Sequence, residues 1–457
     1  MGRPQAAVRG ARRAQRQRRS CSAGAGHRRS GARRAGPLAQ GGRPPHPPAV
    51  RVRRRALRER AAGDVLPQPH RPVAPGAGAG RADGRCAGRD ARIRRRHDRG
   101  PPRRGRAVTP APTIGIVGND VPRQLVSAAG ALPRRLTGSW SGPIGAEAAA
   151  HLGAVDPVTA RILTELLGPG SPALDAIVVC NDSQAHLRLF YVLRMMGDRG
   201  LPPVHLVDLP RQDDPATRRF AHVQFTRLAE FCIRITGTAP DASAWRRAAA
   251  GERAVGDALA RLRARRRTRP AAVSGTAALQ ALLIAATVGP EDAVAALDAA
   301  EVRTDLSALR VHITGSDHPD PTLYATLEGQ GVTVVSEDHD TGELSWLGIA
   351  VEGEDLDTVV RGLVAAHFAR PGGSAVATIA ERAALSRASA ESAGAQVALA
   401  LVRAGDEAPL WDLAASARAL ADAGIPLVRR TGLTPENVAA ALADAATELR
   451  TRGGEPA

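Results

Sequence analysis

Three short stretches place polar side chains where a helix is about to begin: Asp156-Pro157, Asn181-Asp182-Ser183 and Gly405-Asp406. Helix starts present unpaired N–H groups and the positive end of a dipole, so such turns suit anions and thiolates. Asn181-Asp182-Ser183 also follows a buried strand, where an open α/β sheet places its ligands. A second polar run, Glu337-Asp338-His339-Asp340, gathers four residues of metal-ligand type, but its position after a strand predicts a solvated loop. The other histidines of the later part of the chain, His151, His186, His205, His222, His312, His318 and His367, show no HxxxH or HExxH spacing. No GxSxG or P-loop occurs, and Gly115 and Gly118 followed by Asn119-Asp120 do not make GxGxxG. Cys180 sits one residue before Asn181 on a strand, where neighbouring side chains face opposite ways, and reads as a buried structural cysteine. No residue is assigned a catalytic role on these patterns.

The elements that must carry these turns follow from apolar periodicity. Thr113 to Gly118 reads as a short buried strand ending in a glycine turn, followed by a helix from Pro122. Asp156-Pro157 opens a helix through Leu167, with Asp as N-cap and Pro at the first helical position. Ala176 to Cys180 is the next strand, a helix follows Ser183, and Val204 to Pro210 is a further strand. Strand and helix in alternation predict a parallel sheet with crossover helices. Ala216 to Gly289 is helical in pattern, and its Arg261 to Arg269 run reads as a solvated face or helix end. A second α/β unit takes strands at Leu309–Gly315, Val332–Ser336, Gln396–Val402 and Ile425–Val428. Its helices end at Gly329 or run over 356–368, 409–423 and 435–450. The predicted class is α/β, with two Rossmann-like parallel-sheet domains joined by a helical region. The predicted divisions are an N-terminal tail over 1–110, a first domain with its helical extension over 111–300 and a second domain over 301–457.

Composition separates the tail from the rest. The 457 residues carry a formal net charge of +18, and all 63 basic residues are Arg. Residues 1–110 hold thirty Arg against five Asp or Glu, a net of +25, which leaves 33 Arg against 40 acids, a net of −7, for the remainder. The tail has no Phe, Trp or Tyr, and its Arg, Gly, Pro and Ala runs cannot bury enough apolar surface to offset ordering, so it is expected to be disordered. Without aromatics to stack on bases, its arginines predict only non-specific contact with nucleic acid. No apolar run reaches a membrane-spanning length, and no signal-peptide pattern follows the basic start. The four cysteines show no paired spacing, and a reducing cytoplasm is expected.

The residues from about Ile116 to Arg429 resemble the D-component subunits of the 2-hydroxyacyl-CoA dehydratase and benzoyl-CoA reductase family. The resemblance is carried by Asp120-Val121-Pro122, Ala128 to Leu136, the turn at Asn181, Asp208-Leu209-Pro210-Arg211, Thr314-Gly315-Ser316 with Asp320-Pro321, Asp340-Thr341-Gly342, Arg370-Pro371 and Ala423 to Pro426, in that order. It implies that three positions, here Asp156, Asn181 and Gly405, are those at which family members hold a 4Fe-4S cluster through cysteine. All three cysteines are replaced, and such clusters rest on thiolates. No cofactor is therefore expected in this chain. The family activity, a lyase reaction on a 2-hydroxyacyl-CoA, would fall to a paralogous partner subunit that keeps its cysteines.

In the cleft that the resemblance implies, Asp182, Ser183 and Asp406 are candidate lining residues. Arg134, Arg135 and Arg188 are candidates for the phosphates of an acyl-CoA. If Asp156, Asn181, Asp182 and Asp406 converge, they would form an oxygen-lined pocket suited to Mg²⁺, Ca²⁺ or Mn²⁺. A protein without its own chemistry that binds CoA thioesters or another small molecule is the competing expectation.

Overall fold

The computed structural model describes residues 110–307, 309–372 and 377–453. The expectation for the Arg-rich tail falls on residues 1–109, outside the described residues. Two four-stranded sheets, each wholly parallel, organise the rest.

The first sheet contains β1 (Thr113–Val117), β2 (Leu132–Arg135), β3 (Ala176–Cys180) and β4 (Val204–Val207), in the order β2-β1-β3-β4. Its intervening helices are α1 (Arg123–Ala128), α2 (Ala146–Leu152), α3 (Pro157–Leu167) and α4 (Gln184–Met195). A helical stretch follows: α5 (Pro215–Thr236), α6 (Ala242–Arg267), α7 (Gly275–Ala285) and α8 (Pro290–Asp298). The second sheet contains β5 (Arg310–Gly315), β6 (Thr333–Glu337), β7 (Val397–Arg403) and β8 (Leu427–Leu433), in the order β6-β5-β7-β8. Its helices are α9 (Thr322–Glu328), α10 (Leu356–Ala369), α11 (Ile379–Ala393), α12 (Ala408–Asp422) and α13 (Val438–Gly453). Among the described residues, no helix is long and apolar enough to cross a membrane.

Both sheets reverse strand order beside their first strand, between β1 and β3 and between β5 and β7. Such switch points open a crevice at the carboxyl ends of the strands. β3 is buried along its whole length because helices cover both faces. Val178 and Cys180 pack on one side and Ile177 and Val179 on the other. The buried Cys180 Sγ accepts a hydrogen bond from the Asp120 N–H at 3.2 Å, and burial pushes its thiol pKa up, as a structural cysteine requires.

The two sheets are tied by exchanged elements. Val359, Val360, Leu363 and Val364 of α10 lie in the core beside the first sheet, with Trp346, while Trp140 from the first half packs into the core of the second. Asn119, at the end of β1, donates through Nδ2 to the Leu344 carbonyl at 2.8 Å and accepts through Oδ1 from the Trp346 N–H at 2.9 Å. Asp120 forms an ion pair with Arg370, whose guanidinium lies 4.4 Å from the Trp346 ring centre. Several motif residues that are far apart in sequence are thus joints between the sheets.

Two sequence expectations are corrected. Glu337-Asp338-His339 is buried rather than solvated, because each polar group meets a partner from a covering helix. Arg266 of α6 bonds Glu337 at 2.5 and 3.0 Å, Arg382 of α11 reaches Asp338 at 3.3 Å, and the Tyr324 hydroxyl of α9 lies 2.8 Å from His339 Nε2. The Arg261 to Arg269 run is correspondingly not all surface: Arg266 is buried, and Arg265 donates to the Leu297, Asp298 and Ala300 carbonyls at the end of α8. Charged side chains tolerate burial where they are paired and hydrogen-bonded in this way.

Candidate functional site

The carboxyl ends of both sheets face one cavity of about 540 Å³. Gly118 and Asp182 reach it from the first switch point, and Gly315, Arg403 and Asp406 from the second. The glycines are needed there. Gly118 has φ +95°, and a Cβ on it would collide with the Asp182 carboxylate and the Cys180 side chain; Gly315 has φ +111°, and a Cβ would collide with the Leu401 carbonyl. Only glycine adopts this backbone without strain while leaving room for such a neighbour.

On the first-sheet side, Asp182 is 5% exposed and accepts from the Asn119 N–H at 2.6 Å. Its other oxygen lies 2.6 Å from His186 Nδ1. Burial opposes ionisation of Asp182, yet His186, together with the Asn119 N–H and Arg135, outweighs it and holds the carboxyl below its ordinary value. Burial likewise opposes the imidazolium of His186, but Asp182 chiefly, with Asp317 and Asp156, raises its pKa. Ser183 caps α4, its Oγ accepting from the His186 N–H at 3.1 Å. Arg135 lines the same wall and donates from Nη1 to the Asp340 carbonyl at 2.6 Å and to Asn119 Oδ1 at 3.2 Å.

On the second-sheet side the central group is Arg403, the last residue of β7, which is 6% exposed. Its Nη2 donates to Asp317 Oδ1 at 2.8 Å and to Asp156 Oδ2 at 3.2 Å, its Nε to Asp156 Oδ1 at 3.3 Å, and its Nη1 to the Asp317 carbonyl. Asp406 Oδ2 stands 3.7 Å away. Burial opposes the charge of Arg403, but these three carboxylates outweigh it and raise its pKa. Asp317 is held well below the usual carboxylate range, since Arg403 and Arg135 more than offset its burial.

The sequence-predicted site residues divide accordingly. Asp156, Asp182, Ser183, Gly405, Asp406 and Arg135 line the cavity. Asp156 and Gly405 are neighbours: a Cβ on Gly405, whose φ is +86°, would stand 3.4 Å from Asp156 Cα. Asn181 turns its amide to Asp208 Oδ1 at 2.9 Å. Arg134 is exposed and is not among the lining residues. Arg188 donates to the Leu152 and Ala154 carbonyls at the end of α2, at 2.8 and 3.2 Å. The oxygen-lined metal pocket that convergence of these residues would have formed does not assemble, because Asp156 is taken by Arg403, Asp182 by His186 and Asn181 by Asp208. No group of three His, Cys, Asp or Glu is placed to hold a metal ion among the described residues. Asp156 instead caps α3, accepting from the Val158 N–H at 3.5 Å, while α12 begins only at Ala408, so Gly405-Asp406 is a turn ahead of that helix.

Arg403, Asp317 and His186 are the residues that sequence patterns did not single out. Arg403 had one legible signal: it is the only charged residue in an otherwise apolar strand, and it sits at the carboxyl end. His186 stands four residues after Asp182, the spacing that brings side chains together along a helix.

The three positions assigned to cluster ligands by resemblance do not suit an iron–sulfur cluster. Asp156 is ion-paired with the Arg403 guanidinium, Asn181 offers an amide bonded to Asp208, and Gly405 has no side chain. No thiolate comes from any of the three. None of the curated proteins compared matches the chain. The sequence does match the 2-hydroxyglutaryl-CoA dehydratase D-component family over residues 119–432, more than half of its length, and the chain belongs to that family.

Proposed function

We propose that this chain is a 2-hydroxyacyl-CoA dehydratase-like subunit that carries no iron–sulfur cluster of its own and works in the cytoplasm beside a cluster-bearing paralogue. The observation that carries this reading is the Arg403 ion-pair group. It fills the place beside Asp156 and Gly405 with a cation that stabilises carboxylates, where family members need thiolates for iron. The two sheets are read as two domains, 111–300 and 301–457, with α10 lent across to the first. The lyase chemistry of the family would reside in the partner, and this subunit would supply a docking surface and a wall of the active complex.

Anaerobic purification of the full chain, with iron analysis and a visible spectrum, tests the first half of the reading. Iron below about 0.2 atoms per chain and no absorbance near 400 nm are expected; stoichiometric iron with a brown chromophore would refute it. Co-expression with a cysteine-bearing paralogue tests the second half, with a stable complex on size exclusion as the expected result. A free-standing binder of CoA thioesters draws less support. Of the three arginines assigned to its phosphates, only Arg135 faces the cavity, and it is already engaged by Asp340 and Asn119.

A further inference from the structure

The cavity walls carry unlike charge. From the second sheet and the turns beyond it come Asp317, Asp338, Asp340, Asp406, Glu407 and Asp412, with Arg403 as the only cation lining that wall among the described residues. Arg403 is already shared by Asp156, Asp317 and Asp406. Arg382, behind the wall, serves Asp338 at 3.3 Å and lies 3.7 Å from Asp412. Facing them, Asp182 is matched by His186, and Arg135 and Arg211 add positive charge. Carboxylates therefore outnumber the cations that could neutralise them.

Two further observations show that this surplus is not simply solvated. Asp412 is 7% exposed and lines the cavity, and its Oδ2 has only the distant ion pair with Arg382 Nε at 3.7 Å and no hydrogen-bond partner among the described residues. Burial also lifts its carboxyl to about 6, Asp338 adding to the effect against Arg382. Asp340 is lifted to about 6 by burial, Asp182 and Asp317, and burial raises Asp406 as well. Carboxylates held this way gain from an added cation. A divalent metal is not indicated, since the acids are spread over the wall rather than gathered as ligands. A polyanion would meet like charge. The remaining feature is Trp411, 74% exposed and lining the same cavity, an aromatic face of the kind that attracts organic cations.

We propose that the cavity binds a small organic amine or guanidine, its cationic group held by the Asp406, Glu407 and Asp412 side of the wall and its carbon chain against Trp411. An ammonium brings three donors and a guanidinium five, and both can serve several carboxylates at once. This site needs no cluster and no partner subunit, so it stands or falls separately from the proposed role in a complex.

Isothermal titration of the full chain with agmatine, which bears a guanidinium and an ammonium on a four-carbon linker, tests the proposal, with butyrate as the anionic control. Saturable agmatine binding with Kd below about 1 mM is expected, together with no detectable butyrate binding. The affinity should fall at least about tenfold in Asp406→Asn/Glu407→Gln and several-fold in Trp411→Ala, and it should weaken as salt is raised. Circular dichroism of each variant confirms that it is folded. Absence of saturable agmatine binding up to about 10 mM overturns the proposal. So does agmatine affinity unchanged in the folded double variant, or butyrate binding more tightly than agmatine.

Discussion

At the scale of single residues, Arg403 makes the most consequential contacts of the site, because among the described residues its guanidinium is the one ion-paired with Asp156, Asp317 and Asp406 together. Removing one partner of a buried ion pair leaves the others desolvated and unmatched, at a cost of about 3–5 kcal/mol. Arg403→Met should therefore lower the stability of the folded chain by about that amount, read as a shift of the urea midpoint at unchanged slope. A loss below about 1 kcal/mol would mean that water already screens the three carboxylates. None of this is visible in composition, because a strand-end arginine looks the same whether it faces solvent or three acids. Glu337-Asp338-His339-Asp340 shows the converse. Its polarity suggested exposure, and only the helices that bring Arg266, Arg382 and Tyr324 over it make burial possible.

At the scale of elements, strands with continuous apolar runs were legible: β1, β3, β5, β6 and β7 lie within a residue or two of their expected places, each buried on both faces. β2 was not, because Leu132-Pro133-Arg134-Arg135 has neither an apolar run nor alternation. It can be a strand only because it lies at the edge of the sheet, where a proline is tolerated. α11 was missed for another reason. Its apolar residues form no stripe, and the one signal was the capping box of Thr378 with Glu381.

Close helix approaches are likewise hidden in the sequence. Gly256 sits in the interior of α6, where alanine would ordinarily be preferred by about 1 kcal/mol. Here a Cβ would stand 2.8 Å from the Gly348 carbonyl oxygen, and Gly348 itself has φ +69°. The clash outweighs the helical gain, since forced overpacking costs about 1–3 kcal/mol. Gly256→Ala should thus lower the melting temperature; a rise would show that the segment at Gly348 yields freely.

For the whole molecule, the two sheets form one site because residues from each close on the other, and at the second-sheet wall lies a pair of buried histidines. His318 is 1% exposed, neither ring nitrogen has a hydrogen-bond partner among the described residues, and it stacks edge-on against Tyr324 and His339. Burial, with His339 and Arg403 nearby and only Asp317 opposing, lowers its pKa well below 6.5. His339 is lowered too, chiefly by burial, against Glu337, Asp317 and Asp338. In the unfolded chain both rings take a proton near pH 6.5, whereas the folded protein resists. Their contribution to stability is therefore complete above pH 6.5 and declines as the pH falls, by up to about 1.4 kcal/mol per unit for each ring. Asp340 and Asp412 act in the opposite sense. With folded values of about 6 against 3.8 for the free side chain, they take up protons on folding between those limits and partly offset the loss. The net expectation is a fall in stability between pH 6.5 and 5, measured by urea unfolding at half-unit intervals. His318→Gln should flatten that slope while lowering stability at pH 7.5. A variant whose slope equals that of the parent chain would place the acid sensitivity elsewhere.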